Sequence, residues 1–374
     1  MVALALSMNP AILSARIRKK LHAAGSSPFQ LDVSLEISPG ISILFGPSGA
    51  GKSTALDCIA GLLTPDRAHI AIGDLVLHDT EQNINLLPEQ RRLAYVFQSL
   101  ALFPHLTVGE NIAYGLAALP HDECHQCVKE IASDFHVEEL LNRKPADISG
   151  GEKQRVALAR SLVTQPRALL LDEPLTNLDA QLKTSIMNDL RDWNRARNIP
   201  VLYVTHSRDE LDTLGEHVVA MDHGRITSEG LPRDVLDAPR STRLAQSAGF
   251  ENIMLGVVTE LREADGIMRV QLGLACNIEV PLGHSAVGDH VRVAIRAGDI
   301  LLASEKPRGL SAQNLLEGRI VSLEQRGPLV IARVNCGALF TVHVTPRATR
   351  SLELAAGKPI WLVLKTYSCH LVND

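Results

Sequence analysis

Short apolar runs of four or five residues, each closed by glycine or by acidic and polar residues, recur through the first 235 positions of this chain. The clearest are 41–45, 168–171 and 201–204. A half-buried strand alternates apolar and polar positions, so runs that are largely apolar predict strands of a parallel sheet covered on both faces. Between 105 and 165 the pattern becomes helical, over 108–119, 123–141 and 151–163. Residues 30–235 are therefore expected to form a doubly wound α/β domain, occupying 1–235 with a helical subdomain inserted at about 100–165. Its active-site loops should follow the carboxyl ends of the strands.

The pattern changes again after 231–250, a stretch holding Pro232 and Pro239, within which 236–250 reads as a linker. Beyond it the period is two, as in Val291, Val293 and Ile295 set against Arg292 and Arg296. Asn252 to Gly256 is echoed by Asn314 to Gly318, and Val291 to Arg296 by Ile360 to Lys365. Two similar β-units of about 60 residues, built as small OB-like barrels, are expected over 251–374.

With 374 residues, the chain exceeds what one hydrophobic core usually organises. Apolar residues at 45%, charged residues at 21% and a net charge of −5 describe an ordinary soluble protein and give no sign of a nucleic-acid partner. No run approaches the roughly 20 apolar residues that span a bilayer. The basic Arg16, Arg18, Lys19 and Lys20 follow the apolar N-terminal stretch instead of preceding it, so no signal peptide is expected, and Met8 is an alternative start. Six scattered cysteines point to reduced thiols in the cytoplasm. Cys124 and Cys127, with His121 nearby, lack a second pair to complete a tetrahedral metal site and read as thiols on a helix.

The chemistry begins at Gly46-Pro47-Ser48-Gly49-Ala50-Gly51-Lys52-Ser53-Thr54, between a predicted strand and a helix holding Leu56, Ile59 and Leu62. Glycines let backbone N–H groups wrap a phosphate chain, and the helix N-terminus adds partial positive charge. Lys52 is expected to bridge the β- and γ-phosphates, and Ser53 to give its hydroxyl oxygen to Mg2+. Asp172 closes an apolar strand within reach of that metal, and Glu173 follows as the group that activates water. Gln98, after Tyr95-Val96-Phe97, is placed to ligate Mg2+ or the water, and His206, after 201–205, to touch the γ-phosphate. Taken singly, either would be uninformative. Ser149-Gly150-Gly151-Glu152 opens a helix and forms a second anion site. One nucleotide does not need two such sites from one domain, so a head-to-tail pair of protomers is expected, with Asp179 of Asn177-Leu178-Asp179 at the interface.

Over 30–235 these residues resemble the ATP-binding subunit of bacterial ABC importers. Gly46 to Thr54 look like the Walker A loop, Gln98 the Q-loop, Ser149 to Glu152 the signature, 169–173 Walker B, Asp179 the D-loop and His206 the switch histidine. Residues 99–107 resemble the region that meets the permease's coupling helix. The segment 19–28 holds no aromatic to stack on adenine, which leaves His22 or Phe29. Ser311-Ala312-Gln313-Asn314 resembles the opening of the molybdate-binding Mop module, with Gln313 where that module carries Arg, and Lys365 matches its later lysine. The resemblance implies an α/β P-loop ATPase followed by an all-β Mop-type domain, similar to the molybdate importer ATPases. It would use ATP and Mg2+ as a homodimer on the cytoplasmic face of the cell inner membrane. An integral permease and, indirectly, an extracytoplasmic molybdate-binding protein are its implied partners, and molybdate a regulatory ligand at Ser311, Asn314 and Lys365. An importer for sulfate, iron or sugar, or a soluble ABC ATPase without a transport role, remains open on the same residues.

Overall fold

The computed structural model describes residues 11–21, 28–176, 178–237, 239–273 and 275–372, so Met8, His22 and Asn177 lie outside the described residues. The chain divides into a unit ending at Val235 and another beginning at Leu236.

The first unit holds strands β1 (Leu13–Leu21), β2 (Phe29–Ile37), β3 (Gly40–Phe45), β4 (Arg67–Ile72), β5 (Leu75–Asp79), β6 (Ile84–Asn85), β7 (Leu93–Val96), β8 (Ala168–Asp172), β9 (Pro200–Thr205), β10 (His217–Asp222) and β11 (Arg225–Gly230). One sheet, in the order β2-β1-β4-β5-β6, is antiparallel. The other runs β11-β10-β3-β9-β8-β7 and is parallel except for β11. The runs read as doubly covered strands are β3, β8 and β9, at the centre of that parallel sheet.

Helix α1 (Lys52–Ala60) lies between the two sheets. Its Ala55, Leu56, Cys58 and Ile59 join one core with Leu13, Ile17 and Leu35 of the antiparallel sheet and Leu44, Leu170 and Val204 of the parallel sheet. Each fully buried aliphatic side chain contributes about 1.5–3 kcal/mol, so the helix that ends the glycine-rich loop is firmly held. Its far end is closed by Arg91, which is 1% exposed and donates from Nη1 to the carbonyls of Cys58 and Ile59 at 3.0 and 2.7 Å. A guanidinium there satisfies carbonyls that the last helical turn leaves open and suits the negative end of the helix dipole.

The inserted helices are α2 (Val108–Ala113), α3 (His121–Asp134) and α4 (Gly150–Leu162). The helix expected over 123–141 stops at Asp134, and the one expected over 108–119 gives way after Ala113 to a tighter turn at Tyr114–Leu116. His136 takes a left-handed φ of 55°, and Arg155 of α4 draws in the Phe135 carbonyl at 3.1 Å, so the chain leaves α3 where a tertiary donor replaces a helical one. Helices α5 (Ala180–Arg197), α6 (Arg208–Leu214) and α7 (Pro232–Leu236) follow.

In the second unit the described residues of the stretch 236–250, expected as a linker, include a helix. This is α8 (Thr242–Ser247), with Leu244 and Ala245 buried, and Arg296 stacks on Phe250 at 4.4 Å. Next come β12 (Asn252–Arg262), β13 (Ile267–Leu272), β14 (Cys276–Pro281), β15 (His290–Ile295), β16 (Leu301–Ala303), β17 (Asn314–Arg326), β18 (Leu329–Asn335), β19 (Leu339–Val344), α9 (Pro346–Ser351), β20 (Pro359–Leu364) and β21 (His370–Val372). The internal repeat is real, but its halves are not separate barrels. The sheets are β14-β13-β12-β15-β21 and β16-β20-β17-β18-β19, so each half lends its last strand to the other. The repeated Gly256 and Gly318 are needed where a Cβ would press into Val270 and Cys336 of the neighbouring strands.

Candidate functional site

Two adjacent parallel strands build the reacting end of the first unit. Asp172, the last residue of β8, is level with Val204 of β9, so the residues leaving these strands emerge side by side. Glu173 leaves first, in a left-handed conformation with φ 46°, its N–H donating to the Val204 carbonyl at 3.1 Å. A non-glycine residue in that region costs of order 1 kcal/mol, and such residues gather at functional sites. His206 leaves β9 one residue past Thr205, and its Nδ1 lies 3.1 Å from Glu173 Oε1. The structure thus brings together two residues that are 33 positions apart in the chain.

Beside them the loop Gly46 to Gly51 joins β3 to α1. Gly51 caps the helix at φ 103°, and a Cβ there would stand 2.7 Å from the Phe29 ring. Phe29 therefore packs on the loop from β2, which bears on its reading as an adenine partner. Lys52 is 6% exposed, and Nζ donates to the carbonyls of Gly46 and Pro47 at 2.8 and 3.0 Å. These bonds hold the ammonium against the loop.

Ser53 lies near Asp172. Burial raises the Asp172 pKa; Ser53 and Lys52 oppose this, while Glu173 and Asp57 push the same way. Asp57, which sequence reading missed, lies four residues after Ser53 on α1 and accepts from the Tyr95 hydroxyl at 3.1 Å. That helical spacing was the available signal. Among the described residues no set of three or more His, Cys, Asp or Glu side chains is placed to hold a metal alone. One carboxylate and one hydroxyl instead fit Mg2+, which binds few protein ligands and completes its shell with phosphate oxygens and water.

A raised folded-state pKa means that ionised Asp172 costs stability, a cost that grows as pH rises from the ordinary carboxylate range through the folded-state value. Asp172→Asn should accordingly raise the melting temperature of the nucleotide-free protein at pH 7 and remove most Mg2+-dependent nucleotide affinity. Thermal melts with and without Mg2+-nucleotide check both, and a lower melting point for the nucleotide-free variant would contradict the electrostatic reading.

Gln98 lies in an exposed turn two residues beyond β7, at the same end of the sheet. The turn is fastened on both sides. Phe97 stacks on Tyr95 at 4.2 Å, and Arg160 of α4 donates to the Leu100 and Ala101 carbonyls at 2.8 and 2.7 Å.

Ser149 is the N-cap of α4, forming a reciprocal pair with Glu152: its N–H donates to Glu152 Oε2 at 2.6 Å and its Oγ accepts from the Glu152 N–H at 3.3 Å. The backbone bond to Ser149 is the chief reason that the Glu152 carboxyl titrates below its ordinary value. Gly150 precedes Gly151, over which Leu182 of α5 packs closely. Asp179 caps α5 through the Leu182 N–H at 3.0 Å, so its carboxylate also has a local task.

A concavity of about 1050 Å³ in the first unit is away from this chemistry on the outer face of the antiparallel sheet. Its charges largely pair with one another, as in Arg18 with Asp32 and His69 with Asp79, which marks a solvated sheet face.

In the second unit the Asn314 amide is engaged by the backbone of Glu279. Its Oδ1 accepts from the Glu279 N–H at 2.6 Å and Nδ2 donates to the Glu279 carbonyl at 2.8 Å. Asn252 makes the same clamp on Thr341, so the repeated asparagines tie the two halves together. Asn314, expected as an oxyanion donor, therefore also has this structural task. Ser311 and Lys365 are exposed, with Lys365 directly after Leu364, the register partner of Asn314. A cavity of about 280 Å³ beside Asn314 is lined by Arg269, Asn277, Glu279 and Gln313, and there Glu279 pairs with Arg269 at 3.3 Å.

A family model described as ABC transporter matches residues 31–176, and one described as TOBE domain matches 310–371. The molybdate/tungstate import ATP-binding protein WtpC of Pyrococcus abyssi is 38% identical over 328 residues, covering 87% of this chain and 90% of that protein. The molybdenum import ATP-binding protein ModC of Rhizobium meliloti is 37% identical over 344 residues, covering 90% of this chain and 95% of the relative. A solved dimeric structure of the ATP-binding cassette MJ0796, in a post-hydrolysis state with ADP and Pi, aligns with a TM-score of 0.51 and 30% identity over 59% of this chain and 99% of the other.

Proposed function

This chain belongs to the ABC transporter ATP-binding proteins that carry a TOBE domain, and on that premise we propose that it powers molybdate or tungstate uptake through a membrane permease. Its reaction is ATP hydrolysis. The observation that carries the reading is the contact of Glu173 with His206 at the carboxyl ends of β8 and β9, beside Lys52 and Ser53.

In this reading the loop amides of Gly46 to Thr54 and the Lys52 ammonium hold the phosphate chain, and Lys52 exchanges its carbonyl partners for phosphate oxygens. Glu173 takes the proton of the attacking water, and His206 orients that carboxylate and faces the γ-phosphate. Ser53, Asp172 and Gln98 would hold Mg2+, which supplies charge neutralisation for the phosphoryl group. Ser149, Gly150 and Gly151 present the N-terminus of α4 to the nucleotide of a second copy, with Asp179 at that interface.

No helix among the described residues is long and apolar enough to cross a membrane. The reading therefore seats the chain on the inner face of the membrane through its permease, which meets residues 99–107 and receives cargo from an extracytoplasmic binding protein.

The second unit is read as an oxyanion sensor acting through Ser311 and Lys365, with Asn314 shaping the pocket wall. A ligand at about 100 times its Kd stabilises the fold by about 2.7 kcal/mol. Molybdate or tungstate should raise the melting temperature of the full chain, and sulfate or maltose should leave it unchanged. Stabilisation by sulfate or maltose alone would move the assignment to another importer.

A further inference from the structure

Glu210 stands on the first turn of α6, four residues after His206, and is 3% exposed. A carboxylate removed from water needs donors, and this one has three. Lys183 of α5 reaches Oε1 at 3.0 Å, while the Tyr203 hydroxyl and the Thr205 hydroxyl reach Oε2 at 2.9 and 2.8 Å. Thr205 Oγ1 also accepts from the Ser207 N–H at 2.9 Å, and Ser207 Oγ accepts from the Glu210 N–H at 3.4 Å. Thr205, before His206, is thus fastened to the buried carboxylate directly, and Ser207, after it, through the Thr205 hydroxyl and the Glu210 N–H.

The same carboxylate reaches the other functional segment. Lys183 sits in the first turn of α5, where its N–H donates to the Asp179 carbonyl at 3.0 Å. The neighbouring Leu182 receives the Asp179 cap and packs over Gly151. Contacts therefore run from Gly151 and Asp179 through Lys183 to Glu210, Thr205, His206 and Glu173.

We propose that Glu210 is a positioning residue for hydrolysis: paired with Lys183, it holds the turn bearing His206 where Nδ1 meets Glu173, and it ties that turn to the segment that faces the second protomer. Packing alone does not call for this pair, because replacing a buried ion pair by apolar groups is often neutral or stabilising. The inference rests on the reading of Glu173 and His206 as the reacting pair.

The test is steady-state Mg2+-ATP hydrolysis by the full chain carrying Glu210→Gln, Lys183→Met, both changes together, or Lys183→Arg. Each of the first two should lower kcat about 10-fold or more with KM for ATP within about twofold, since small misplacements of reacting groups are costly. The double variant should be no worse than the poorer single one, because both act through one contact, whereas independent packing defects multiply. Lys183→Arg, which keeps a donor, should recover most of the rate. Lys183 is 24% exposed, so if Glu210→Gln fails to fold, Lys183→Met decides the matter. Single variants at parental kcat, losses that multiply, or a fall in kcat matched by a rise in KM would overturn the inference. Activity retained by Glu173→Gln would instead overturn the site reading beneath it.

Discussion

Glu173→Gln should lower steady-state ATP hydrolysis about 10²- to 10⁴-fold while leaving nucleotide binding intact, the loss expected of a missing general base and equal to about 3–5 kcal/mol of barrier. The geometry argues for this residue over its neighbours. Glu173 has its backbone pinned to Val204 and its Oε1 placed 3.1 Å from His206 Nδ1, whereas Asp172 lies near Ser53. Glutamine preserves size and can still accept a bond from the imidazole, but it cannot take a proton from water. The variant should therefore trap an ATP-bound dimer that the parent only passes through. Phosphate release together with size-exclusion chromatography in Mg2+-ATP reads both properties. Hydrolysis within about threefold of the parent would remove Glu173 from its assigned role.

Two inactive proteins should regain activity on mixing. A Lys52→Ala protomer lacks the ammonium that grips phosphate, and a Ser149→Arg protomer blocks the end of α4 that a second copy would present to the nucleotide. In a mixed dimer the intact Lys52 and the intact Ser149 face the same ATP. Half the dimers in an equal mixture are mixed and each holds one whole site, so about a quarter of parental activity is expected if the sites act independently. Loss of the Ser149 cap costs only about 1 kcal/mol, which a firmly packed domain tolerates. The dimeric neighbour with ADP and Pi supports a paired cassette, and the exposed cap at Ser149 supplies the chemical reason. Mixed dimers that demonstrably form and yet stay inactive would sink the head-to-tail arrangement.

The glycine-rich loop between β3 and α1, the place of Asp172 and Glu173 at the end of β8 and the strands themselves were legible from the residues alone, because each depends on neighbours in the chain. A glycine-rich turn closing into a helix, or an acidic residue ending a doubly buried strand, needs no distant partner to be recognised. The internal repeat was legible for the same reason, through Asn252 with Gly256 and Asn314 with Gly318. What escaped were properties set by contacts across the fold. The end of α3 at Asp134 depends on Arg155 reaching the Phe135 carbonyl. The clamp made by Asn314 depends on Glu279, 35 positions earlier, which engages the amide that the resemblance to a Mop module assigns to a ligand. The exchange of β16 and β21 between the two halves follows from pairing partners, and an alternating pattern states which face of a strand is buried without stating which neighbour it pairs with. Likewise Glu210 reads in sequence as one more surface acid of a helix. Only the folded chain, by closing Lys183, Tyr203 and Thr205 around it, makes it a buried charge, since burial and partner choice belong to the packed whole and not to any local stretch.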